Sequence, residues 1–339
     1  MLKSYISYYL KLWSLGKTLN LIKNVSSFYL SKFTHGYFIW GKPFTFFIEP
    51  TNLCNLHCFE CPVGLKLLKR PQGVMRFEDY KKIIDNISAH AWYILLYFQG
   101  EPAINPDLVN MVNYAYQKKI YTVISTNGTR LANKKFCREI AESQLGELII
   151  SLDGATEETY KIYRQGGLFR RVIKGIRLLT ETRRRLNKKL PRIVIQFLVM
   201  RHNEHEMEAI KKLGKELDVD SVIFKSPQIY DFESAEDILP QNPQFRRYKK
   251  VNGEYILKGT YSGYCRKIWI GSVITQDGVV IPCCFDKDAN YPLGSVPSKD
   301  FEHIWKSEGY HKFRKKVVAN RHKIPICQNC SEGLKTFFK

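Results

Sequence analysis

Between residues 44 and 225, short apolar runs alternate with longer stretches in which apolar residues recur at helical spacing. The short runs are rich in Val, Ile, Tyr and Phe, which favours buried β-strands. Strands separated by amphipathic helices form βαβ units around a parallel sheet, so the pattern predicts an α/β domain. The predicted strands lie at 44–49, 92–98, 120–125, 147–152, 192–199 and 220–225, and the predicted helices at 77–87, 106–118, 133–143, 169–186 and 205–217. Six strands fit an open doubly wound sheet or a curved partial barrel, and the pattern alone does not choose between them.

The segment before this domain, residues 1–43, spaces aromatic and aliphatic residues at helix-like intervals with lysines between them. This pattern predicts one or two amphipathic helices. Such a segment can pack on the main domain or lie on a membrane surface. We expect packing, because Ser and Gly interrupt the polar face and leave no dense basic stripe. Peripheral membrane contact is the alternative.

After residue 226 the alternation of strands and helices ends. Residues 226–244 have the acidic, proline-containing composition of a linker or surface loop. Residues 261–339 hold two β-prone runs around Asp277-Gly278, which predict a hairpin, and then a helical piece and a terminal cysteine pair. The predicted organisation is therefore an N-terminal helical extension (1–43), a main domain (44–226), a linker (227–260) and a cysteine-rich module (261–339).

Composition narrows the classes of protein and partner. The 339 residues contain 53 Lys and Arg against 32 Asp and Glu, a net charge of +21 that favours anionic partners. No nucleic-acid-binding motif accompanies this charge, so we do not expect a nucleic acid partner. We expect a solvated basic surface, and an anionic substrate is the alternative. No apolar run is long enough to span a membrane and the N-terminus does not read as a secretory signal, which predicts a cytoplasmic protein. Nine cysteines in a reducing compartment indicate metal or redox chemistry.

Three of these cysteines, Cys54, Cys58 and Cys61, follow directly after the first predicted strand. The carboxyl ends of parallel strands are where active sites collect in α/β folds. A structural zinc site needs four ligands, usually taken as two close pairs, and a redox pair would leave Cys54 unexplained. Three thiolates on a four-iron cluster leave one iron without a protein ligand, where a substrate can coordinate. The spacing therefore favours a [4Fe–4S] cluster with an open iron.

This C-x3-C-x2-C loop, CNLHCFEC, resembles the signature of the radical S-adenosylmethionine (radical SAM) enzymes. The resemblance covers about residues 44–225 and implies a six-stranded partial (β/α)6 barrel. It also implies that the open iron binds the amino and carboxylate groups of S-adenosylmethionine (SAM), and that one electron cleaves SAM to methionine and a 5′-deoxyadenosyl radical. Glu60 stands where the family often has a large apolar residue near the adenine, so the resemblance does not define adenine packing there.

Three further segments resemble the SAM-binding loops of the family, and they follow successive predicted strands. QGEP (99–102) resembles the segment whose backbone and Glu meet the SAM amino group. STNG (125–128) matches the region that contacts the ribose, and SLDG (151–154) resembles elements that reach the polar groups and carboxylate. Singly, each segment also reads as an ordinary turn or helix cap. The resemblance implies SAM contacts from Gly100, Glu101, Pro102, Ser125, Asn127, Ser151, Asp153 and Arg164.

The cysteine-rich module holds five more cysteines, and Cys137 lies in a predicted helix, where we expect a buried core thiol. Spacing alone allows a zinc ribbon or a second, fully ligated iron–sulfur cluster, and favours zinc because such sites are commoner. The run YCRKIW…DGVVIPCCFD…ICQNC, however, resembles the SPASM or twitch extension that follows many radical SAM barrels. The abbreviated form of this extension binds one auxiliary [4Fe–4S] cluster through four cysteines. The resemblance therefore implies the ligands Cys265, Cys283, Cys327 and Cys330, with Cys284 as a neighbour.

The sequence therefore predicts a radical SAM oxidoreductase or maturase with two [4Fe–4S] clusters and SAM as cofactors. A cluster closed by four thiolates has no vacant iron, so we expect the auxiliary cluster to transfer electrons in an oxidation or bond-forming reaction. The expected substrate is a peptide or a small molecule such as a sugar, and the expected electron donor is a flavodoxin or ferredoxin. No general base is identified. The alternative is a non-catalytic, basic zinc protein that contacts nucleic acid, which would be colourless and would not bind SAM.

Overall fold

The computed structural model describes residues 8–259, 264–296 and 298–332. The chain forms two compact units that interleave along the sequence. Unit 1 comprises Met1–Leu53, Leu68–Val123 and Tyr261–Gly333. Unit 2 comprises Cys54–Leu67, Ile124–Thr260 and Leu334–Lys339.

Unit 1 contains a mixed sheet that joins the first strands of the chain to the C-terminal hairpin. In sheet order its strands are β11 (Gly294–Ser295), β10 (Val279–Ile281), β9 (Gly271–Ile274), β1 (Thr45–Ile48), β2 (Tyr93–Leu95) and the start of β3 (Tyr121–Thr126). β1 pairs in parallel with both β2 and β9, so Thr45 lies opposite Tyr93 on one side and Gly271 on the other. The hairpin predicted around Asp277-Gly278 is confirmed, and its first strand extends the sheet at β1.

Unit 2 contains the parallel strands β4 (Glu147–Ser151), β5 (Arg192–Leu198) and β6 (Ser221–Lys225). β3 enters this unit at Ile124. A separate antiparallel hairpin joins β7 (Tyr248–Val251) to β8 (Glu254–Leu257). The predicted α/β class with six strands in parallel pairing is therefore confirmed within the two units, while closure into a partial barrel stays a prediction.

The helices follow the predicted order, with boundaries that differ by a few residues from the predicted ones. They are α1 (Leu15–Phe33), α2 (Phe77–Ile87), α3 (Leu108–Gln117), α4 (Lys134–Glu142), α5 (Glu157–Tyr163), α6 (Phe169–Arg185), α7 (Met207–Glu216), α8 (Ala235–Ile238), α9 (Lys267–Ile270), α10 (Phe301–Trp305), α11 (Glu308–Asn320) and α12 (Pro325–Gln328). Residues 8–12 are also helical. No helix among the residues that the structure describes is long and apolar enough to cross a membrane.

Three local features differ from the sequence pattern. Helix α5 was not predicted, because it is short, but Thr156 caps it by accepting a hydrogen bond from the Thr159 amide, and two glutamates occupy its first turn. The single helical piece predicted near the C-terminus is two helices, since Ser307 caps α11 and separates it from α10. Residues 227–260 contain α8 and the β7–β8 hairpin, and they pack with buried apolar side chains of unit 2.

The N-terminal helix α1 packs on unit 1, as expected. The Asn24 amide donates to the carbonyls of Trp269 and Lys42, at 2.7 and 3.0 Å. The ammonium of Lys17 donates to the carbonyl of Lys119 at 2.7 Å, at the end of α3. The predictions that concern residues 1–7, 260–263, 297 and 333–339 lie outside the described residues.

Candidate functional site

The cysteine loop lies in unit 2, directly after the end of β1. Cys58 is buried among apolar side chains that include Leu56 and Tyr163, and Cys54 and Cys61 pack at the edge of the same cluster. The loop folds back tightly at Gly64, where a Cβ atom would lie only 2.3 Å from the carbonyl oxygen of Cys58. The structure therefore brings the three predicted cysteines together against one apolar wall.

A buried ion pair stands beside this loop. The Arg164 guanidinium donates through Nε to Asp153 Oδ2 at 2.5 Å, and its Nη1 lies 3.9 Å from Cys58 Sγ. Asp153 is fully buried and also accepts from the amide of Leu198 at 2.7 Å, which fixes the carboxylate at the end of β5. Burial raises the pKa of the Cys58 thiol, and the Arg164 charge partly offsets that rise. Two predicted SAM contacts, Asp153 and Arg164, thus form one charged group next to a predicted cluster ligand.

The segment after β3 also contacts the cysteine loop. The Asn127 amide donates to Asn55 Oδ1 at 2.9 Å, and Asn55 donates in turn to Thr129 Oγ1 at 3.1 Å. Asn55 lies within the loop, immediately after Cys54, so this network ties the predicted ribose segment to the cysteines. Ser125 is half-buried at the end of β3, and Ser151 is buried at the end of β4.

The predicted amino-group segment lies in unit 1. Gly100 has a left-handed backbone (φ +73°), and a Cβ atom there would lie 2.6 Å from the carbonyl oxygen of Leu53. The Glu101 amide donates to that same carbonyl at 2.7 Å, so glycine is required for the close approach. The Glu101 carboxylate is buried and caps the turn that begins at Pro102, by accepting from the Ala103 amide.

Glu60, the residue whose role the sequence left open, is held by backbone amides of unit 2. Its carboxylate accepts from the Tyr230 amide at 2.5 Å and from the Asp231 amide at 3.4 Å. Its backbone is left-handed (φ +58°), and burial raises the pKa of its carboxyl despite these two hydrogen bonds. Its neighbour Phe59 packs edge-on against Tyr163, with ring centroids 4.9 Å apart.

Glu49 is a residue that sequence reasoning missed. It follows β1, is fully buried, and forms a bidentate ion pair with Arg70, with Nη1–Oε2 at 2.6 Å. Its carboxylate also accepts from the amides of Gln99, in the QGEP segment, and Gln276, in the C-terminal hairpin. One carboxylate therefore organises three parts of unit 1. An acidic residue at the end of an apolar strand was the available signal.

The five cysteines of the C-terminal module are brought together in unit 1 around two cations. Cys265 and Cys327 are buried in one apolar cluster. Arg321 donates to Cys330 Sγ at 3.1 Å, and charge interactions couple it to Cys265 and Cys327 as well. Lys267 interacts with Cys283, Cys284 and Cys330. Buried thiols beside fixed positive charges suit the binding of an anionic iron–sulfur cluster.

Cys283 and Cys284 form a hydrogen-bonded pair next to Lys267. The hydrogen bond from Cys283 lowers the pKa of Cys284 to about 6, helped by Lys267 and Lys287, and raises that of Cys283. Both line a cavity of about 220 Å³ at the β1–β9 junction, with Thr45 and Phe47 among its walls. The structure thus places Cys284 in the group together with Cys283.

The two groups of cysteines are chemically suited to bind iron–sulfur clusters. Each consists of thiols in apolar surroundings with a guanidinium group nearby. Within the described residues, no three His, Cys, Asp or Glu side chains converge on the position of a single metal ion. Cys137 is fully buried in α4, as expected, and burial raises its pKa to about 11.

Part of the positive charge gathers at one place on unit 2. A cavity of about 820 Å³ is lined by Lys161, Arg170, Arg171 and Lys174, together with Glu157. Four basic side chains are therefore gathered around this cavity, where an anionic group would be attracted.

Family models match two parts of the chain. The radical SAM superfamily model matches residues 48–216, and the iron–sulfur cluster-binding domain model (SPASM) matches residues 265–331. The chain belongs to the radical SAM superfamily. It is therefore an enzyme that uses [4Fe–4S] clusters and SAM, as the resemblance predicted.

Named relatives span different shares of this radical SAM protein. It is 25% identical over 313 residues to the tungsten-containing aldehyde ferredoxin oxidoreductase cofactor-modifying protein of Pyrococcus furiosus, over 84% of this chain and 86% of that protein. It is 28% identical over 185 residues to the mycofactocin maturase MftC of Mycobacterium ulcerans, over 55% of this chain. The latter match spans only 47% of the relative, less than half of its length.

Solved structures share the fold. SuiB of Streptococcus suis bound to S-adenosylmethionine matches with a TM-score of 0.64 at 17% identity, over 86% of this chain and 73% of that one. BtrN in complex with AdoMet and 2-DOIA matches with a TM-score of 0.54 at 19% identity, over 87% and 96%. At these identities the likeness shows the fold and not the substrate.

Proposed function

We propose that this protein is a two-cluster radical SAM maturase that oxidises or cross-links a peptide. The observation that carries the proposal is the presence of a radical SAM domain and an iron–sulfur cluster-binding domain in one chain. The names of relatives support a peptide substrate, since MftC is a maturase and SuiB has been solved with its precursor peptide SuiA. A small molecule is the second substrate class, supported by the structure of BtrN with 2-DOIA.

The proposed ligands of the reducing cluster are Cys54, Cys58 and Cys61. When bound, a [4Fe–4S] cluster and SAM supply a 5′-deoxyadenosyl radical, which abstracts hydrogen from an unactivated carbon. The protein's own contribution at this place is to keep the thiols in an apolar wall and to hold Arg164 beside Cys58. Arg164 stabilises negative charge on that sulfur and is itself oriented by Asp153.

The SAM contacts are proposed segment by segment. Gly100, Glu101 and Pro102 are assigned to the amino group, because the tight turn at Gly100 fixes a buried carboxylate that can accept from an ammonium. Ser125 and Asn127 are assigned to the ribose.

The remaining predicted contacts all come from unit 2. Ser151 and Asp153 are assigned to other polar groups of SAM, and Arg164 is assigned to its carboxylate. A guanidinium is the side chain best suited to pair with a carboxylate in this way.

The proposed auxiliary ligands are Cys265, Cys283, Cys327 and Cys330, with Cys284 adjacent. Arg321 and Lys267 would offset the charge of four thiolates in a buried setting. A fully ligated cluster leaves no open iron, so its proposed role is to accept an electron from the substrate radical. An external flavodoxin or ferredoxin would supply the electron that the reducing cluster gives to SAM, and would take up the electron that the auxiliary cluster accepts, so that oxidation of the substrate balances reductive cleavage of SAM.

Anaerobic reconstitution tests the two-cluster part of the proposal. We expect about eight irons per chain, and dithionite-driven release of 5′-deoxyadenosine from SAM. The triple change C54A/C58A/C61A should abolish that release and leave about four irons, whereas C265A/C327A should leave about four irons and retain SAM cleavage. C137A is the matched control, since its thiol is buried outside both groups and the change should alter neither measurement.

A second experiment tests the substrate class. The enzyme would be expressed with short peptides encoded beside its gene, and the products compared by mass spectrometry. Loss of a pair of hydrogens from one peptide supports the peptide proposal. SAM cleavage without any modified peptide, together with oxidation of an anionic sugar, would assign the small-molecule class instead.

A further inference from the structure

Helix α1 has its polar and apolar faces reversed relative to an ordinary surface helix. A helix that packs on a globular domain normally buries its apolar stripe and exposes its polar one. In α1 the fully or nearly buried positions are mostly polar: Lys17, Asn24, Ser27 and Ser31. Large apolar side chains are exposed instead, at Leu15, Leu19, Ile22, Tyr29 and Phe33. These five residues are called the outer stripe below.

The reversed orientation is fixed by specific contacts within unit 1. Lys17 donates to the carbonyl of Lys119, and Asn24 donates to the carbonyl of Trp269, so both buried donor groups have acceptors. Gly41 lies so close to the helix that a Cβ atom there would be 2.7 Å from Asn24. The helix therefore cannot roll to bury the outer stripe without covering the carbonyls of Lys119 and Trp269 with apolar side chains that cannot donate to them, which is costly.

The outer stripe forms one continuous strip. At 3.6 residues per turn its five members lie within about 80° of arc along about 27 Å of helix, with Ser26 as the interruption. They are 50 to 87% exposed, and Phe33 is the most exposed of them. Three more exposed apolar residues, Tyr9, Leu10 and Trp13, precede the helix. A continuous apolar strip of this length on an exposed helix face is typical of a surface that binds a partner.

The charges around the stripe indicate the partner's chemistry. The first acidic residue of the chain is Glu49, so neither the helix nor the segments beside it contain a carboxylate side chain. Lys23 and Lys32 are exposed and flank the stripe, at about 80° and about 100° on opposite sides of its axis. An apolar strip with aromatic residues, bordered by lysines and free of acids, is suited to the interface of an anionic lipid bilayer.

A second copy of the chain fits this surface poorly. Pairing two stripes would bring lysines of both helices together, with no acidic side chain on either helix to neutralise them. Phosphatidylserine or another acidic headgroup supplies the missing negative charge, and the acyl layer supplies the apolar contact.

We infer that helix α1 docks the enzyme on an anionic membrane surface, with the outer stripe inserted at the level of the headgroups. The helix lies in the plane of the interface, held by the contacts of its polar face to unit 1. This docking does not depend on the proposed substrate, because no residue of the outer stripe belongs to either cysteine group.

Vesicle flotation with the full-length, reconstituted protein tests the inference. We expect binding to phosphatidylcholine vesicles that contain phosphatidylserine, and much weaker binding to pure phosphatidylcholine vesicles. Leu19→Gln with Ile22→Gln should weaken binding by about a hundredfold, since each of the two aliphatic side chains contributes roughly tenfold when buried in the bilayer. Lys23→Glu with Lys32→Glu should weaken it by roughly fivefold per charge removed, and added salt should weaken the wild type.

The matched control is Leu186→Gln with Ile256→Gln, which removes two apolar residues exposed elsewhere and should leave binding unchanged. All substituted side chains are exposed, so iron content and circular dichroism should match the wild type. Vesicle binding unaffected by the stripe variant would overturn the inference, since other basic surfaces would then be responsible. An absence of vesicle binding by the wild type would also overturn the inference. That holds even if light scattering shows that the protein self-associates and that the stripe variant does not.

Discussion

His90 provides a test of how burial controls stability in unit 1. It is 3% exposed and lies between the rings of Phe46 and Phe301, each with its centroid 5.9 Å away. Neither ring nitrogen has a hydrogen-bond partner among the residues that the structure describes. Burial lowers the pKa of this histidine from 6.5 to about 3, assisted by Lys42, while Glu302 opposes the shift.

The sign of the effect follows from this lowered pKa. Between about pH 6.5 and pH 3 the unfolded chain binds a proton at this position and the folded chain does not, so stability falls as pH falls through that range. At 1.36 kcal/mol for each pH unit, the His90 contribution at about pH 5 is a loss of roughly 2 kcal/mol relative to neutral pH. Above pH 6.5 both states are neutral and the contribution vanishes.

Urea unfolding of the reconstituted protein under nitrogen, at neutral pH and near pH 5, measures this loss. His90→Phe and His90→Leu each remove the titrating group, so the stability of the variant minus that of the wild type should increase by about 2 kcal/mol at the lower pH. The exposed residue His205 is the control, and His205→Gln should show no such increase. A difference between His90→Phe and the wild type that is constant with pH would refute the reasoning. Using two variants separates the proton effect from repacking, which is independent of pH.

Two further predictions concern the contacts that hold the predicted SAM segments in unit 1. Arg70→Met should cost about 3–5 kcal/mol because it leaves the buried Glu49 carboxylate without its cation. Adding Glu49→Gln should recover part of that loss in a double-mutant cycle by urea unfolding, and simple additivity would show that the pair does not interact. Gly100→Ala should abolish 5′-deoxyadenosine release, since its Cβ would meet a carbonyl oxygen at 2.6 Å. Gly253→Ala has the same sign of φ but open space, and should lose only about 1 kcal/mol of stability with activity intact; equal activity loss in both would contradict the prediction.

Local periodicity was sufficient to predict the six strands β1–β6 and five of the helices. Each buried strand is a run of β-branched and aromatic residues, and each of those helices repeats its apolar residues over several turns. Helix α5 was missed because it spans only Glu157–Tyr163, which is too short for a periodic signal. Its existence depends on the Thr156 cap and on packing of Tyr160 and Tyr163 into unit 2.

The candidate site shows where local information ends. The cysteine loop and the three turn segments could be predicted as site residues because each is contiguous in sequence. The Glu49–Arg70 pair was not, since its partners are 21 residues apart and nothing local marks Arg70 among so many basic residues. The resemblance implied Cys284 only as a neighbour of the ligand Cys283, whereas its interaction with Lys267 depends on the fold of the hairpin.

The N-terminal helix shows a deeper limit. A helical repeat of apolar residues defines a stripe but not the direction in which the stripe faces. Packing was expected because Ser and Gly interrupt the polar face, and that reasoning did not say which face would pack. Lys17 and Asn24 make it the polar face, and the carbonyls that they bind belong to residues 119 and 269, which no local pattern could bring together. Packing and membrane contact therefore do not exclude each other. The polar face of the helix packs on unit 1, and the apolar face remains available for contact with a membrane.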